Sequence, residues 1–329
     1  MIGLIDVDGT LPNIALTKIA TYYKSLGEKV EFVRPYAKYE KIYASAIFTR
    51  SGPICESLIE QYGDKIEIGG TGWDIEKRLP PEIEACKSDY SLYSAEFVAG
   101  RIRGIMNKET RLRKAAQITE AGIGFTSRGC VRRCPFCAVP TKEGRLRQDQ
   151  EIKDIINPKS NVIILHDNNF TADPNCLEKL REIRERGLVV DINQGCDVRL
   201  MTDEIAVALA SVRHLRSLHY AWDLLKHENM VINGIKTLSR FVKPYLHMCY
   251  MLVGFNTSFE EDIYRFRKLI EMKIKPYVMI YNDKQDVRLK HFARWVNAHI
   301  HTQCSFDDYT PWVKAQKERM VFYDQIGTN

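Results

Sequence analysis

The 329-residue sequence predicts an α/β protein: a small parallel-sheet domain, then a partial, open barrel of six β/α units, then a helical tail. Three observations carry this. Short β-branched runs alternate with amphipathic stretches of helix length along most of the chain. Six such steps over about 180 residues are too few for a closed eight-fold barrel of roughly 250. The longest apolar runs, such as Val162–Leu165, have a strand's length and fall far short of the roughly 18 residues a membrane helix needs. A content of 45% hydrophobic and 27% charged residues suits a packed core and excludes a disordered or collagen-like chain.

The elements follow in order. Ile2–Val7 reads as a strand, and Pro12–Leu26 carries Ile14, Leu16, Ile19, Ala20 and Tyr23 at helical spacing. Lys29–Val33, Tyr43–Phe48 and Ile66–Ile68 are short strands, Ile54–Tyr62 is a helix, and Gly69-Gly70-Thr71-Gly72 closes the last strand. Pro80 to Gln117 is charged and irregular, a linker with one or two helices. The second alternation then supplies strands at Gly122–Thr126, Val162–His166, Val189–Asn193, Ser217–Ala221, His247–Val253 and Tyr277–Tyr281. Helices at Pro174–Arg186, Asp203–Ser211, Phe259–Met272 and Lys284–Ile300 lie between or after them.

The N-terminus has no basic segment before an apolar run and no small-residue cleavage site, so a cytoplasmic protein without membrane contact is expected. The formal charge of +6 is unevenly placed. Residues 101–147 hold twelve Lys/Arg and three Glu, a local +9. Such a field suits a phosphate, a carboxylate, an anionic cluster or nucleic acid, and equally a solvated helix face at Arg101–Lys114. Nine cysteines, an odd number with no export signal, argue against a disulfide framework.

Three of those cysteines share one loop, Arg128-Gly129-Cys130-Val131-Arg132-Arg133-Cys134-Pro135-Phe136-Cys137, with the spacing C-x3-C-x2-C. Three thiolates there can wrap a metal. Structural zinc normally takes a fourth protein ligand, and none is evident nearby. A cubane iron–sulfur cluster held by Cys130, Cys134 and Cys137 keeps one iron open for another ligand.

This loop resembles the radical S-adenosylmethionine (radical SAM) superfamily, in which an aromatic residue, here Phe136, precedes the third cysteine. The likeness extends over roughly Ala121 to Tyr281 in the same strand order. It implies a 4Fe–4S cluster and SAM as cofactors. It also implies reductive cleavage of SAM to a 5′-deoxyadenosyl radical, which abstracts hydrogen from a substrate shielded by the barrel. A flavodoxin or ferredoxin is the implied electron donor.

The likeness also assigns candidate contacts. At the second barrel strand end, Asp167, Asn168 and Asn169 stand where the family holds the SAM ammonium. Gln194 and Arg199 follow the third strand, Arg199 as a fork for the SAM carboxylate. Gly254 permits backbone approach to adenine, and Tyr281 flanks it. Asp223 on the same rim, and Tyr250, are candidate catalytic groups; Tyr250, Cys249 and Cys304 are candidate hydrogen donors. Trp222, Tyr220, Tyr250 and Tyr281 could face a planar substrate. Each also has an ordinary reading as an N-cap, a core aromatic or a buried thiol.

In the first domain, Asp6-Val7-Asp8-Gly9-Thr10-Leu11 resembles the nucleophile motif of haloacid-dehalogenase-like (HAD-like) phosphatases, but no acidic pair follows a later strand to hold Mg2+. A Rossmann-like domain ahead of such a barrel resembles the cobalamin-binding layout. No histidine precedes His166, and a degenerate domain without cobalamin is expected. Asp6, Asp8 and Asn13 then become candidate substrate contacts. The expected boundaries are 1–85 for this domain, 86–118 for a linker, 119–283 for the barrel and 284–329 for the tail.

The opening Asp-Val-Asp-Gly, the Gly-Gly-Thr-Gly loop, Val139-Pro140-Thr141-Lys142-Glu143-Gly144 and the Ala293–Tyr309 segment are similar to a set of short radical SAM proteins that includes a queuine lyase. That likeness implies a small polar substrate, a nucleobase derivative such as a 7-deazaguanine base, and C–N bond cleavage. The alternatives are radical modification of tRNA or a peptide, cobalamin-dependent radical methylation and, from other classes, a HAD-like phosphatase or a zinc-binding protein.

Overall fold

A computed structural model describes residues 1–281 and 286–314, which form two compact units: 1–169 with 178–193, and 170–177 with 194–314. The fold is α/β with parallel sheets flanked by helices.

The first unit opens with β1 (Ile2–Asp6), α1 (Ile14–Ser25), β2 (Val30–Phe32), β3 (Lys41–Ser45), α2 (Gly52–Tyr62) and β4 (Ile66–Gly69). The strands lie in the order β2-β1-β3-β4, all parallel, with Leu4 opposite Phe32 and Tyr43. Alternate residues of β1 face opposite ways, the period of a pleated strand. Ile2 and Leu4 pack with Leu16, Ile19 and Ala20 of α1, and Ile5 joins Ala44, Ile68 and Cys55 of α2 on the other face. Helices therefore cover both faces of a small sheet, as its alternation predicted. Asn13 starts α1 by accepting from Leu16 N–H.

The stretch expected as a linker folds into α3 (Pro81–Glu84), α4 (Ala95–Ala99) and α5 (Lys108–Glu120). It has its own small core of Tyr93, Val98 and Ala115, and Phe32 of the sheet packs against it. The chain continues through β5 (Gly122–Gly124), β6 (Ser127–Arg128), α6 (Val139–Lys142), β7 (Arg147–Gln148), α7 (Ile152–Ile155), β8 (Val162–Leu165), α8 (Cys176–Glu185) and β9 (Val189–Ile192). Strands β5, β8 and β9 pair in parallel, whereas β6 and β7 form an antiparallel ribbon. All four residues of β8 are buried, which explains its unbroken apolar run.

The second unit holds α9 (Asp203–Ala210), β10 (Arg213–His214), β11 (Leu218–Ala221), α10 (Glu228–Ser239), β12 (His247–Val253), α11 (Phe259–Glu271), β13 (Lys275–Ile280) and α12 (Val287–Asn297). Strands β11, β12 and β13 are parallel neighbours. Ser258 and Glu261 form a capping box at the start of α11. In α10, Gly234 lies so close to Val198 that an added Cβ would sit 1.8 Å from its carbonyl oxygen. After α12, Phe306 packs on Phe292 and Trp295 and stacks on Trp312. Positions 284 and 285 of the expected last helix, and 315–329 of the tail, lie outside the described residues. No helix of the described residues is long and apolar enough to cross a membrane.

Candidate active site

The β6–β7 ribbon pairs Ser127 with Gln148 and Arg128 with Arg147, and the loop between them carries the three clustered cysteines. Gly129 opens it with φ 82°, a conformation that favours glycine. A Cβ there would stand 2.3 Å from the Arg145 carbonyl oxygen. Cys130 N–H donates to Gly144 O at 3.3 Å, and Cys137 N–H to Cys134 O at 3.0 Å. The loop is thus folded back on itself around its thiols.

The residues after β8 hold this loop, each differently. Asp167 is fully buried. Its Oδ1 accepts from Thr126 Oγ1 at 2.5 Å, Ser127 N at 2.7 Å and Ser127 Oγ at 2.8 Å, and its Oδ2 from Thr126 N at 2.9 Å. Burial pushes the Asp167 carboxyl above the usual range while these hydrogen bonds pull it down. Asn168 Oδ1 accepts from Gly129 N at 2.8 Å. Asn169 Nδ2 donates to Cys130 Sγ at 3.4 Å, and its buried Oδ1 has no hydrogen-bond partner among the described residues.

Asp167 and Asn168 are engaged in anchoring the loop. Asn169 keeps an open acceptor beside a cysteine sulfur.

Among the described residues no cysteine is in a disulfide; Cys130 and Cys134 are half-buried and Cys137 is exposed. Besides the Asn169 amide, Cys130 Sγ accepts from Arg132 N at 3.3 Å, and Cys137 Sγ from Val139 N at 3.4 Å. Three thiols on one loop, with N–H donors at the sulfurs of Cys130 and Cys137, are a donor set of the kind a 4Fe–4S cluster uses. Among the described residues no three His, Cys, Asp or Glu side chains close on a single ion. A cubane binds its thiolates through separate irons, so convergence on one point is not required. Phe136 is half-buried in the same loop.

His166, which the sequence reading left without a role, sits at the end of β8 with its ring 5.8 Å from Phe125. Burial, then the charge of Arg128, pushes its imidazole down to about 4. It is a neutral polar group at a strand end, where α/β sites form. Its motif string was visible; its burial was not.

In the second unit the Arg199 fork is held by Asp197, Nε to Oδ1 at 2.6 Å and Nη2 to Oδ2 at 2.9 Å, with Nη1 3.2 Å from His227 Nδ1. Gly195, with φ 98°, lets Cys196 N–H reach His219 O at 2.7 Å just after Gln194. Asp223 Oδ1 accepts from Leu252 N at 3.2 Å, and burial raises its carboxyl. A buried Arg265 donates to the carbonyls of Trp222 and Leu252 and to Asp262 Oδ1, tying the ends of β11 and β12 together. Gly254 follows β12 with φ 77°, and Tyr281 stands edge-on to Phe255 at 4.8 Å.

Tyr250 is half-buried, its ring 5.5 Å from His219 and 5.7 Å from Tyr277. Trp222 and Tyr220 are core residues at 0% and 1% exposure. Cys249 is equally sealed, and burial raises its thiol. Cys304 is half-buried, and its carbonyl accepts from Trp295 Nε1 at 3.1 Å.

The three N-terminal candidates all make contacts within the fold. The Asp6 side chain is wholly buried; it accepts from Gly9 N at 2.8 Å and Tyr93 Oη at 2.7 Å, and Arg101 Nη1 lies 3.1 Å away. Asp8 accepts from Ile47 N, Phe48 N and Ser51 Oγ at 2.7 to 2.9 Å. Asn13 caps α1 and donates to Ser45 Oγ at 2.9 Å. Each motif residue bridges β1 to its neighbours, a structural reason for the same string.

Residues 125–270 of this parallel α/β chain, which include the three-thiol loop, match the Radical SAM superfamily. That span is less than half of the chain. Curated proteins give no match. Among solved structures it is similar to SuiB of Streptococcus suis bound to its precursor peptide SuiA, at 14% identity over 64% of this chain and 57% of that one, with a TM-score of 0.40. It is also similar to SuiB bound to S-adenosylmethionine, at 14% identity over 63% and 56%, with a TM-score of 0.39. This chain spans less than two thirds of the length of those neighbours.

Proposed function

We propose that the chain is a radical SAM enzyme acting on a small polar substrate, a nucleobase derivative. The observation that carries the radical reading is the C-x3-C-x2-C loop, fastened at its base by Asp167 and Asn168 and leaving Asn169 Oδ1 open beside Cys130. Cys130, Cys134 and Cys137 would hold a 4Fe–4S cluster, which when bound supplies the electron for reductive cleavage of SAM. Asn169 Oδ1 accepts from the SAM amino group, because a buried lone acceptor is costly until a donor reaches it. Gln194, Gly254 and Tyr281 are the candidates for nucleoside contact.

Two assignments narrow. Arg199 is already paired with Asp197 and stands beside His227, so its role as partner of the SAM carboxylate requires that pairing to rearrange. Asp223 and Tyr250 stand as substrate-side groups, Asp223 held by Leu252 N–H. The N-terminal domain takes no cobalamin in this reading, because Tyr93 and Arg101 fill the end of β1. Substrate identity, a 7-deazaguanine base cleaved in the manner of a queuine lyase, rests on the sequence likeness alone. An acidic one-electron carrier such as flavodoxin or ferredoxin is the proposed donor.

Anaerobic purification tests the proposal: the chain should hold about four iron and four sulfide and form 5′-deoxyadenosine from SAM. Cys130→Ala, Cys134→Ala and Cys137→Ala should each abolish both. A colourless protein holding zinc would overturn it. A substrate panel of queuine, related bases, tRNA and peptides then reads which one stimulates turnover.

A further inference from the structure

We infer that the N-terminal sheet domain is a clamp on the cysteine loop, with Glu84 and Arg78 as its positioning residues. The inference rests on reading that loop as the cluster's holder. Open parallel sheets bind ligands in the crevice beyond their strand ends, where the strand order reverses. In the order β2-β1-β3-β4 that crevice lies at the ends of β1 and β3. It is filled from within: Tyr93 Oη donates to Asp6, Arg101 donates to the carbonyls of Asp6 and Gly9, and Asn13 donates to Ser45. Nor is the glycine loop after β4 an open cradle. A Cβ on Gly70 would lie 2.3 Å from Ala46 O, and one on Gly72 2.5 Å from Phe48 N, so these glycines exist for backbone packing.

What the domain presents is the strap that follows β4. Arg78 Nη2 donates to the carbonyls of Thr141 and Lys142, in the short helix just after Cys137. Lys142 Nζ returns a hydrogen bond to Lys77 O at 2.8 Å. Glu84 Oε1 lies 3.1 Å from Arg128 Nη2, two residues before Cys130, and 2.6 Å from Lys18 Nζ of α1. Lys18 is itself 2% exposed, which roots the contact in the domain's core. Arg128 further meets Asp149 at 3.0 Å and Glu143 at 3.4 Å. The strap therefore grips the loop on both sides of its cysteines. An irregular loop of this length has many conformations to lose, and two grips from one rigid domain reduce them before any cluster arrives.

Amide exchange in the full chain without iron tests this directly. In Arg78→Met, exchange over residues 128–147 should quicken about tenfold or more, the effect of losing one charge-assisted hydrogen bond, while β1–β4 stay protected. Lys18→Met/Glu84→Gln removes both partners, leaves no buried charge unpaired and should do the same. Unchanged exchange in the loop, or a rise spread equally over β1–β4, overturns the clamp. After reconstitution, the cluster potential in Lys18→Met/Glu84→Gln, which removes one charge of each sign, should shift upward as water reaches the loop, since the more highly charged reduced form gains most. An unshifted potential overturns the positioning role. A chain whose loop loosens as expected yet takes up no iron would refute the radical reading and leave the clamp standing.

Discussion

Asp167 and Asn169 are two positions apart and do opposite things. Asp167 gathers four hydrogen bonds in a fully buried site, so Asp167→Asn turns an amide donor against donors. It should cost about 2–4 kcal/mol and lose the cluster with the fold. Asn169→Ala removes a side chain whose Oδ1 is unpartnered. Its thermal stability should hold within about 1 kcal/mol, while SAM binding, titrated anaerobically, weakens tenfold or more. His247 gives a different residue-scale test. It is fully buried, accepts or donates to Tyr220 Oη at 3.2 Å, and burial pushes its imidazole down to about 4. Between about pH 6.5 and pH 4 the unfolded chain binds a proton there that the folded chain refuses, so this contribution is present above pH 6.5 and lost as pH falls. Urea unfolding of the parent should lose about 1.4 kcal/mol per pH unit more than His247→Gln across that window.

At the scale of elements, the β6–β7 ribbon depends on Gly129 as much as on the cysteines. Gly129→Ala meets both a left-handed φ of 82° and the Arg145 carbonyl at 2.3 Å. It should abolish iron uptake while circular dichroism shows the helices intact, a loss confined to the ribbon. The strands were legible because their periods are local. His247–Val253 was found with the ends expected, Val162–His166 came out one residue shorter as Val162–Leu165, and the sixth strand was displaced only from Tyr277–Tyr281 to Lys275–Ile280. The ribbon was not legible, since two-residue strands have no period to read. Nor were the fates of site residues. The string Asp167-Asn168-Asn169 shows three polar groups at one strand end, and only the third dimension divides them into anchors and an open acceptor. Likewise Asp6 and Asp8 look like catalytic carboxylates in one dimension, whereas Tyr93 and Arg101, some ninety residues on, decide that Asp6 is sealed.

Over the whole molecule, the concentration of cations in residues 101–147 has a different meaning once partners are known. Arg128 faces Glu84, Glu143 and Asp149. Arg101 faces Asp6, and Lys142 and Arg147 donate to the carbonyls of Lys77 and Glu143. Three of the balancing carboxylates, Asp6, Glu84 and Asp149, lie outside the segment, so a window count overstates the field that solvent meets. Exposed members such as Arg133 and Arg145 still project a positive surface, enough for an anionic carrier or a single phosphate but thinner than the continuous basic track long RNA requires. Transfer RNA should therefore bind this chain weakly. With only a few phosphates neutralised, the plot of log affinity against log salt should have a shallow slope of about −2 to −3, against about −6 or steeper for a dedicated RNA binder. Filter binding between 50 and 200 mM salt measures it. A steep slope, together with tRNA-stimulated formation of 5′-deoxyadenosine, would move the substrate from a free base to a base within RNA. A shallow slope with turnover on the free base alone keeps the assignment, because free cations would then be too few to hold a polynucleotide.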